Sequence, residues 1–358
     1  MVRNFLPNLP ALCAWLAFGS CAECPSSSEP PFSDAGQAED AVDDDHSLSV
    51  PDGYFEPFDP SLLGGWGLHV IARDRNDIHV AGGSPDRGTL LHYDGTEWSA
   101  EAIGAGVPLL NWVALFEDGQ AVVVGNGGTI LWNAGDGAWE AVEAPTDEDL
   151  WGVWGTGPDD VWAVGGRGRA EGQATVLRFD GSQWRAAEVP ELERSGVNAF
   201  FKVWGTAADD VYVVGQRGAV LHYDGGTIEE VDVGTTEDLI SLWGTGPDDI
   251  VVVGGRSNGV MSHWNGTRWT TASIAPAPGV NGVFMTARGE FWIGGVRGLL
   301  RKGAVTGDGF DVPRTQPVSQ NDVHAVFDVE GYGLLAVGGN FGMIDGPFEG
   351  LAIGTAEE

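Results

Sequence analysis

Residues 151–184 read WGVWGTGPDDVWAVGGRGRAEGQATVLRFDGSQW, and this stretch decides the fold. Its apolar runs, at 151–156, 161–164 and 175–179, are separated by turns of Gly, Pro and Asp, and Trp184 opens a fourth run. Short runs rich in Val, Trp and Phe between such turns are typical of antiparallel β-strands. The Asp180-Gly181 pair predicts a hairpin with a type I′ turn, in which both central residues take positive φ.

The same unit recurs along the chain. The glycine that closes its second run reappears at steps of 39 to 50 residues, as Gly82, Gly125, Gly165, Gly215, Gly254, Gly294 and Gly338. A turn pair follows each of these glycines: Asp94-Gly95, Asp136-Gly137, Asp180-Gly181, Asp224-Gly225, Asn265-Gly266, Asp308-Gly309 and Asp345-Gly346. Seven copies of a four-strand unit predict an all-β protein, a seven-bladed β-propeller of four-stranded antiparallel blades, because a closed ring buries both faces of each sheet.

The N-terminal residues precede the repeats and differ from them in composition. Residues 1–20 resemble an export signal, with Arg3 at the positive end and an apolar run too short to span a bilayer. Phe18-Gly19-Ser20-Cys21 resembles the lipobox of bacterial lipoproteins, which implies that Cys21 is lipidated; plain secretion is the alternative. We therefore expect an exported protein at the outer membrane or cell surface, held there through the lipid alone.

Residues 21–60 are expected to form a disordered acidic linker, and residues 61–358 the propeller. From residue 22 to 60 the chain has 11 acidic residues and no Lys or Arg. Such a segment buries too little apolar surface to offset the entropy of ordering it. Its end, residues 54–58, is expected to pack on the first or the last blade, and whether this segment or residues 351–355 close the ring is left open.

Charge and cysteine content exclude several classes of function. The chain has 18 Lys and Arg against 52 Asp and Glu, a net charge of −34, which argues against nucleic acid as a partner. The cysteines, Cys13, Cys21 and Cys24, all precede the repeats, so the propeller is neither a disulfide scaffold nor a thiolate metal site. We expect a monomer without metal or cofactor.

Several residues that resemble catalytic groups recur with the repeat. Trp154, Trp204 and Trp243 share one position and are interpreted as core between blades. The Asp pairs at 159–160, 209–210 and 248–249 occupy one turn, where capping of backbone amides is expected rather than acid–base chemistry. His92, His222 and His263 share one position of the third strand, and neither they nor His46, His69, His79 and His324 show the spacing of metal ligands.

Arginines follow the marker glycines in most of the repeats. The loops between second and third strands contain Arg87, Arg167, Arg169, Arg217, Arg256 and Arg297, with Asn126 and Asn340 in the other two blades. Strand alternation places these loops on one face, around one mouth of the axial channel. Because guanidinium groups suit carboxylates and phosphates, the pattern predicts an anion-binding mouth for an acidic peptide, a uronic-acid glycan or a phosphorylated group.

Two alternatives to the anion-binding mouth stay open. The connections between blades on the same face are acidic, for example Glu148, Asp238 and Asp322, so the arginines would simply pair with them. The chain's own linker, with Asp43-Asp44-Asp45, is another candidate occupant.

The repeat is similar to two groups of propellers. Gly82-Gly83, then Tyr93 and Trp98, resembles the kelch repeat, although the turn before the Trp is shorter here. The pattern WGTxxDDVWxVG…G…DGxxW looks closer to repeats of secreted or lipid-anchored bacterial propeller proteins. The kelch resemblance implies that an Arg after the Gly-Gly lines a ligand pocket, which fits Arg167 and Arg256 directly.

We expect a non-catalytic propeller that binds a protein or glycan ligand or serves as a scaffold. The alternative is a polysaccharide-active enzyme, a hydrolase or lyase, which would need unrepeated carboxylates together with Tyr or His at one mouth. Glu171, in the long loop of the third repeat, is a candidate, but it has no evident partner. A structural subunit of an assembly complex is the third interpretation.

Overall fold

The repeats fold into seven small antiparallel sheets arranged as the blades of a propeller, which confirms the predicted fold. The computed structural model describes residues 51–167, 172–307, 309–343 and 345–355. The predicted signal, Cys21, Arg169 and Glu171 lie outside these residues. In each complete blade the strands pair in chain order, with the first strand next to the axis.

The first four blades have the following strands. Blade 1 contains β1 (Trp66–Asp74), β2 (Asp77–Ser84), β3 (Arg87–Tyr93) and β4 (Trp98–Ala100). Blade 2 contains β5 (Leu110–Leu115), β6 (Ala121–Gly125), β7 (Ile130–Asn133) and β8 (Trp139–Val142). Blade 3 contains β9 (Leu150–Gly157), β10 (Asp160–Gly165), β11 (Thr175–Phe179) and β12 (Trp184–Ala186). Blade 4 contains β13 (Phe200–Ala207), β14 (Asp210–Gly215), β15 (Val220–Tyr223) and β16 (Ile228–Glu230).

The remaining blades complete the ring. Blade 5 contains β17 (Leu239–Gly246), β18 (Asp249–Gly254), β19 (Val260–Trp264) and β20 (Trp269–Ser273). Blade 6 contains β21 (Val280–Ala287), β22 (Glu290–Gly295), β23 (Leu299–Thr306) and β24 (Gly309–Asp311). Blade 7 contains β25 (Asp322–Val329), β26 (Gly333–Gly339) and β27 (Gly350–Gly354). Short 3-10 turns occur at Pro60–Leu63, Asn126–Gly128 and Gln216–Gly218.

Blade 7 is where the ring closes, and both ends of the described chain take part. β27 is the third strand of this blade, and Phe55 adds a single antiparallel bridge to Gly354 on its outer side. The two residues exchange backbone hydrogen bonds of 2.8 and 2.7 Å. Phe58 is buried in a cluster with side chains of blades 1 and 7. The N-terminal segment therefore fastens the last blade to the first.

The repeated glycines mark places where two backbones approach closely. A Cβ atom on Gly338 would lie 1.8 Å from the carbonyl oxygen of Asp322, and one on Gly165 would lie 1.9 Å from that of Asp149. Any side chain there would push the second strand away from the first. In blade 6 the equivalent glycine by register is Gly295, which pairs with Val280, so the predicted marker Gly294 was one residue too early.

The repeated Trp-Gly dipeptide is part of the packing between blades, as predicted for Trp154, Trp204 and Trp243. A Cβ atom on Gly205 would lie 2.8 Å from the ring of Trp154, and one on Gly244 would lie 2.5 Å from the ring of Trp204. The indoles of Trp154 and Trp204 thus rest on the glycine that follows the tryptophan of the next blade, while Trp243 packs on Phe284. Phe284 and Phe327 continue the series, with ring centroids 4.5 Å apart.

In blades 1, 3, 4 and 5 the turn between the third and fourth strands differs from the predicted type I′, because four residues separate the last paired residues. Tyr93 pairs with Trp98, so the loop has four residues, Asp94–Glu97, and only its glycine takes positive φ (89°). The Asp94 carboxylate accepts the N–H groups of Thr96 and Glu97, which gives the loop its shape. In blade 7 the pair Asp345-Gly346 was also assigned wrongly, because it lies between the second and third strands.

Candidate functional site

Each first strand carries a β-bulge at the same place, near the start of the strand. The register shifts there leave one unpaired residue per blade: Leu68, Asn111, Trp151, Phe201, Ile240, Asn281 and His324. All but Asn111 line one cavity of about 90 Å³ on the propeller axis, together with Trp66, Lys202, Arg256 and Phe341. We call this cavity the axial pocket. The axial mouth is the surrounding face, formed by the second-to-third loops and the connections between blades.

Aromatic and aliphatic side chains form most of the axial pocket, and its charged groups are cationic or basic. Lys202, Arg256 and His324 are the ionisable residues among those that line it, and none of the lining residues is acidic. This is unusual in a chain with a net charge of −34. The pocket is small beside the ~300–1,000 Å³ sites that enclose whole small molecules. It is therefore suited to a side chain or a terminal group rather than to an entire ligand.

Lys202 follows the bulge residue Phe201 in β13 and is 4% exposed. Its Nζ donates to the carbonyl oxygen of Trp151 at 2.8 Å and lies 3.9 Å from the centroid of the Trp112 ring. Burial lowers the pKa of the Lys202 ammonium from 10.5 to about 7. An anion that entered the pocket would favour the charged amine and raise that pKa again.

Two histidines accompany Lys202 near the axis: His69 is buried and His324 is half-buried. His324 Nδ1 lies 2.7 Å from the carbonyl oxygen of Leu68, and the His69 ring stacks on Trp112 with centroids 3.4 Å apart. Burial, with the nearby Lys202 charge, lowers the pKa of His324 to about 3 and that of His69 well below its usual value. Both imidazoles are therefore neutral, and Lys202 is the group of this cluster whose charge changes near neutral pH.

The predicted arginines occupy different parts of the axial mouth. Arg256 lines the axial pocket, and its guanidinium lies 2.6 Å from Asp238. Arg167 is exposed and lies 3.4 Å from Glu148. Arg87 lies further out, in a groove with Leu62 and Ile103. Pairing with acidic connections thus occurs for Arg167 and Arg256, while binding of an anion by these residues stays a prediction.

Arg217 and Arg297 share a backbone conformation that is rare outside glycine. Their φ angles are 56° and 57°, and blade 2 has Gly127 at the equivalent position, with φ 62°. The backbone N–H of each residue donates to an aspartate of the next connection: Gly127 to Asp149, Arg217 to Asp238 and Arg297 to Asp322. A non-glycine residue there costs about 1 kcal/mol, yet both arginine side chains are exposed at the axial mouth.

The two predicted asparagines have structural contacts. Asn126 is buried, and its Oδ1 accepts a hydrogen bond from Asn111 Nδ2 at 3.0 Å. Asn340 Oδ1 accepts the indole N–H of Trp66 at 2.9 Å and the backbone N–H of Glu349 at 2.8 Å. Both side chains therefore order loops of the axial mouth.

The aspartate pairs behave differently from the predicted amide caps. The second aspartate of each pair bonds side chains: Asp160 binds Arg178, Asp210 binds His222 and Asp249 binds His263, at 2.7–2.8 Å. The other oxygen of each carboxylate accepts the hydroxyl of Thr156, Thr206 or Thr245 from the first strand. These networks tie three strands together on the face opposite the axial mouth, and their recurrence supports a structural role.

Lys202 and His324 were not predicted as site residues. Lys202 replaces the small residue found at its position in blades 3 and 6, Gly152 and Gly282, and is one of only two lysines in the chain. A cation within an otherwise apolar first strand was the available signal. The bulge that turns its neighbour toward the axis has no sequence mark of its own.

No family model matches the chain, and no curated protein matches its sequence. Its fold does match solved structures. YCF48 bound to D1 peptide is 14% identical with a TM-score of 0.62, over 87% of this chain and 100% of that one. A virginiamycin B lyase from Staphylococcus aureus is 12% identical with a TM-score of 0.64, over 85% and 99%. The extracellular domain of a one component system from B. thetaiotaomicron is 12% identical with a TM-score of 0.61, over 86% and 40%.

At these identities the likeness shows the fold alone, and neither the kelch resemblance nor the lipoprotein signal is supported by it. Among the residues that the structure describes, none forms a helix with the length and apolar character needed to cross a membrane.

Proposed function

We propose that the protein is a non-catalytic binding module that holds an acidic peptide at the axial mouth, with one carboxylate inserted in the axial pocket. The observation that carries the proposal is the composition of this pocket: Lys202 and Arg256 both line it, among apolar and aromatic side chains and without an acidic lining residue. A carboxylate that loses water in such a place needs a cationic partner. Lys202 supplies one, and Arg256 supplies a second while its guanidinium also pairs with Asp238.

Peptide is favoured over glycan by the size of the pocket. A cavity of about 90 Å³ admits the end of a side chain or a chain terminus, and the rest of the ligand would lie across the axial mouth. Exposed Arg217 and Arg297 are available to further acidic residues there. Both arginines have a left-handed backbone conformation that glycine adopts more easily, and blade 2 has glycine at this position. The presence of arginine despite this cost supports a role in binding. The solved structure of YCF48 with a peptide supports peptide binding by this fold in general terms.

The test is a calorimetric titration of the full chain with acidic peptides, amide-capped and uncapped, at low and moderate salt. We expect salt-sensitive binding that Lys202→Met and Arg256→Gln each weaken at least tenfold, because each removes a cation from the pocket. Arg185→Gln is the matched control, since Arg185 is an exposed arginine that pairs with Asp180 on the face opposite the axial mouth. Its binding should be unchanged.

Arg217→Gly and Arg297→Gly separate binding from folding. Glycine relieves the left-handed backbone, so both variants should be at least as stable as the parent while they bind the peptide more weakly. Failure of every acidic peptide to bind, or equal binding by all variants, would overturn the proposal. Uronic-acid oligosaccharides and phosphorylated sugars belong in the same panel, and tighter binding of either would replace the peptide as ligand.

Catalysis is the second candidate, and Lys202 is the observation that favours it. A lysine with a pKa of about 7 is matched to general-base work near neutral pH. Cleavage of a uronic-acid oligosaccharide that Lys202→Met abolishes would establish an enzyme. Absence of carboxylates among the pocket-lining residues argues against the two-carboxylate mechanism of glycoside hydrolysis.

We further propose export and attachment to a membrane through Cys21. The support is the resemblance of residues 18–21 to a lipobox after an apolar segment. An extracellular domain among the solved structures of this fold is compatible with that location.

A further inference from the structure

Three side chains of blade 1 converge on one oxygen atom, on the face opposite the axial mouth. Asp77 Oδ1 lies 2.8 Å from His79 Nε2 and 2.9 Å from His92 Nε2. Asp77 and His79 lie two residues apart on β2 and so share a face, and His92 stands directly across from His79 on β3. The two imidazole rings stack with centroids 4.4 Å apart.

Part of this cluster belongs to the repeat, and part belongs to blade 1 alone. Blades 4 and 5 have the same aspartate–histidine pair, Asp210 with His222 and Asp249 with His263. The residues across from those histidines are Tyr212 and Val251. His79 is therefore the residue by which blade 1 differs from blades 4 and 5. It places a second histidine nitrogen beside an aspartate that bonds only one histidine in those blades.

The other oxygen of Asp77 is held by an arginine that is also particular to blade 1. Arg73 Nη1 donates to Asp77 Oδ2 at 2.6 Å. The remaining guanidinium nitrogens donate to the carbonyl oxygens of Phe116, Gly119 and Gln120 in blade 2. In blades 4 and 5 a threonine hydroxyl occupies this place. Asp77 is thus fixed between two blades, with Oδ1 turned toward both histidines.

The surroundings match those of metal-binding histidines. Glu101 Oε1 lies 3.3 Å from His92 Nδ1, the nitrogen that does not face Asp77. Histidine ligands commonly have their second nitrogen bonded to a carboxylate, which fixes the tautomer. A cavity of about 400 Å³ between blades 1 and 2 opens onto the cluster and is also lined by Asp94, Asn133 and Trp139. It gives an ion access and leaves room for water.

We propose that Asp77, His79 and His92 bind a divalent zinc ion, with water completing the coordination. Their ligand atoms lie within 4.8 Å of one another. Two imidazole nitrogens and one carboxylate oxygen suit Zn²⁺, whereas Mg²⁺ and Ca²⁺ prefer oxygen ligands alone. Tetrahedral zinc with bonds of ~2.0–2.1 Å places its ligand atoms about 3.3 Å apart, so the two distances from Asp77 Oδ1 to the histidine nitrogens, 2.8 and 2.9 Å, would lengthen by about half an ångström.

The experiment is a Zn²⁺ titration of the EDTA-treated full chain, by calorimetry and by equilibrium dialysis with metal analysis. One Zn²⁺ per chain is expected, together with a rise in the midpoint of thermal unfolding, because the ion binds only the folded site. His79→Val gives blade 1 the residue that blade 5 has at this position, so it should fold normally. It should bind Zn²⁺ at least tenfold more weakly and lose the thermal shift.

Two controls separate this site from other zinc ligands of the chain. His222→Ala removes the equivalent of His92 in blade 4, where no second histidine faces it, and should leave the affinity unchanged. Co²⁺ substitution should give visible bands without the near-ultraviolet thiolate band that Cys21 or Cys24 would add.

The proposal is overturned if the parent chain binds no zinc, if His79→Val binds it as tightly, or if His222→Ala weakens it equally. Should His79→Val lose its cooperative unfolding transition in EDTA, Asp77→Asn takes its place, with the same expected loss and the same consequence if none occurs. Because this cluster is remote from the axial pocket, its outcome is independent of peptide binding.

Discussion

Lys202 shows how one side chain links the stability of the propeller to its proposed binding site. The residue is buried beside the face of Trp112, and burial alone lowers its pKa from 10.5 to about 7. Between these two values the unfolded chain binds a proton that the folded chain has released. Stability should therefore rise with pH across this window, by at most ~1.4 kcal/mol per pH unit.

Lys202→Met removes this pH dependence and the desolvation that causes it. We expect the variant to be more stable than the parent at pH 6, by about 1 kcal/mol or more, since Trp112 and the Trp151 carbonyl offset only part of the cost. The gap should narrow as pH rises toward 9.5. Urea unfolding at several pH values measures it, with Lys302→Met as control because Lys302 is exposed. The prediction would be contradicted if Lys202→Met were less stable than the parent at pH 6 and the difference in free energy of unfolding did not change with pH. That result would mean that the contacts of the buried ammonium fully offset its loss of hydration.

Gly244 allows blades 4 and 5 to pack closely, because it has no side chain. A Cβ atom there would lie 2.5 Å from the Trp204 ring and 2.8 Å from the Asp249 carbonyl oxygen. We expect Gly244→Ala to lower the free energy of unfolding by about 2 kcal/mol, as overpacked cores do. Denaturant unfolding provides the measurement.

Gly157→Ala is the matched control for the Gly244 prediction. Gly157 is the last residue of β9, where the Gly-Pro-Asp-Asp turn of blade 3 begins. A Cβ atom at Gly157 has no neighbour within 4 Å. Its stability should stay within about 0.5 kcal/mol of the parent. Equal midpoints for Gly244→Ala and the parent would show that the indole yields at little cost.

Blade elements were predictable from the sequence because their signals are local. Apolar runs between Asp, Gly and Pro mark the strands, and the recurrence of Trp-Gly marks the packing between blades. Turn type was not predictable: the Asp94 carboxylate fixes a four-residue loop by capping two amides, which the Asp-Gly pair alone does not reveal. In blade 7 the Asp345-Gly346 pair was also interpreted wrongly. It has the sequence of a turn between third and fourth strands, but it lies between the second and third strands.

Site residues were harder to predict than strands, because convergence in space depends on register. Arg256 was identified from its place after the Gly-Gly, whereas Lys202 reaches the same pocket from the first strand of another blade. His79 and His92 meet because they face each other across β2 and β3, although 13 positions separate them in the sequence. Their shared carboxylate belongs to Asp77, the first residue of β2, and its counterparts in other blades were interpreted as caps.

The N-terminal segment joins the propeller at one particular place, the outer side of the last blade. Gly354 pairs with Leu335, near the end of β26 away from the axial mouth, and Phe55 bridges to Gly354. The chain thus reaches the propeller at the far end from the proposed binding site.

Cys21→Ala tests the anchor. If Cys21 carries the lipid, the variant expressed in a bacterium that processes lipoproteins should move from the membrane fraction to the soluble exported fraction. Cys24→Ala is the control and should stay with the membrane. Membrane association of Cys21→Ala equal to the parent would contradict lipidation at this position.

The bridge between Phe55 and Gly354 also determines where the ring responds to force. Neighbouring blades elsewhere are joined by continuous chain, whereas blades 7 and 1 meet through side-chain contacts such as His324 with Leu68 and Asn340 with Trp66. The N-terminal segment adds the two backbone hydrogen bonds of Phe55 and the packing of Phe58 to this junction. Tension applied to the chain before residue 51 enters the molecule at this seam. We expect such tension to load the bridge first, then the packing around Phe58, and the blades only afterwards.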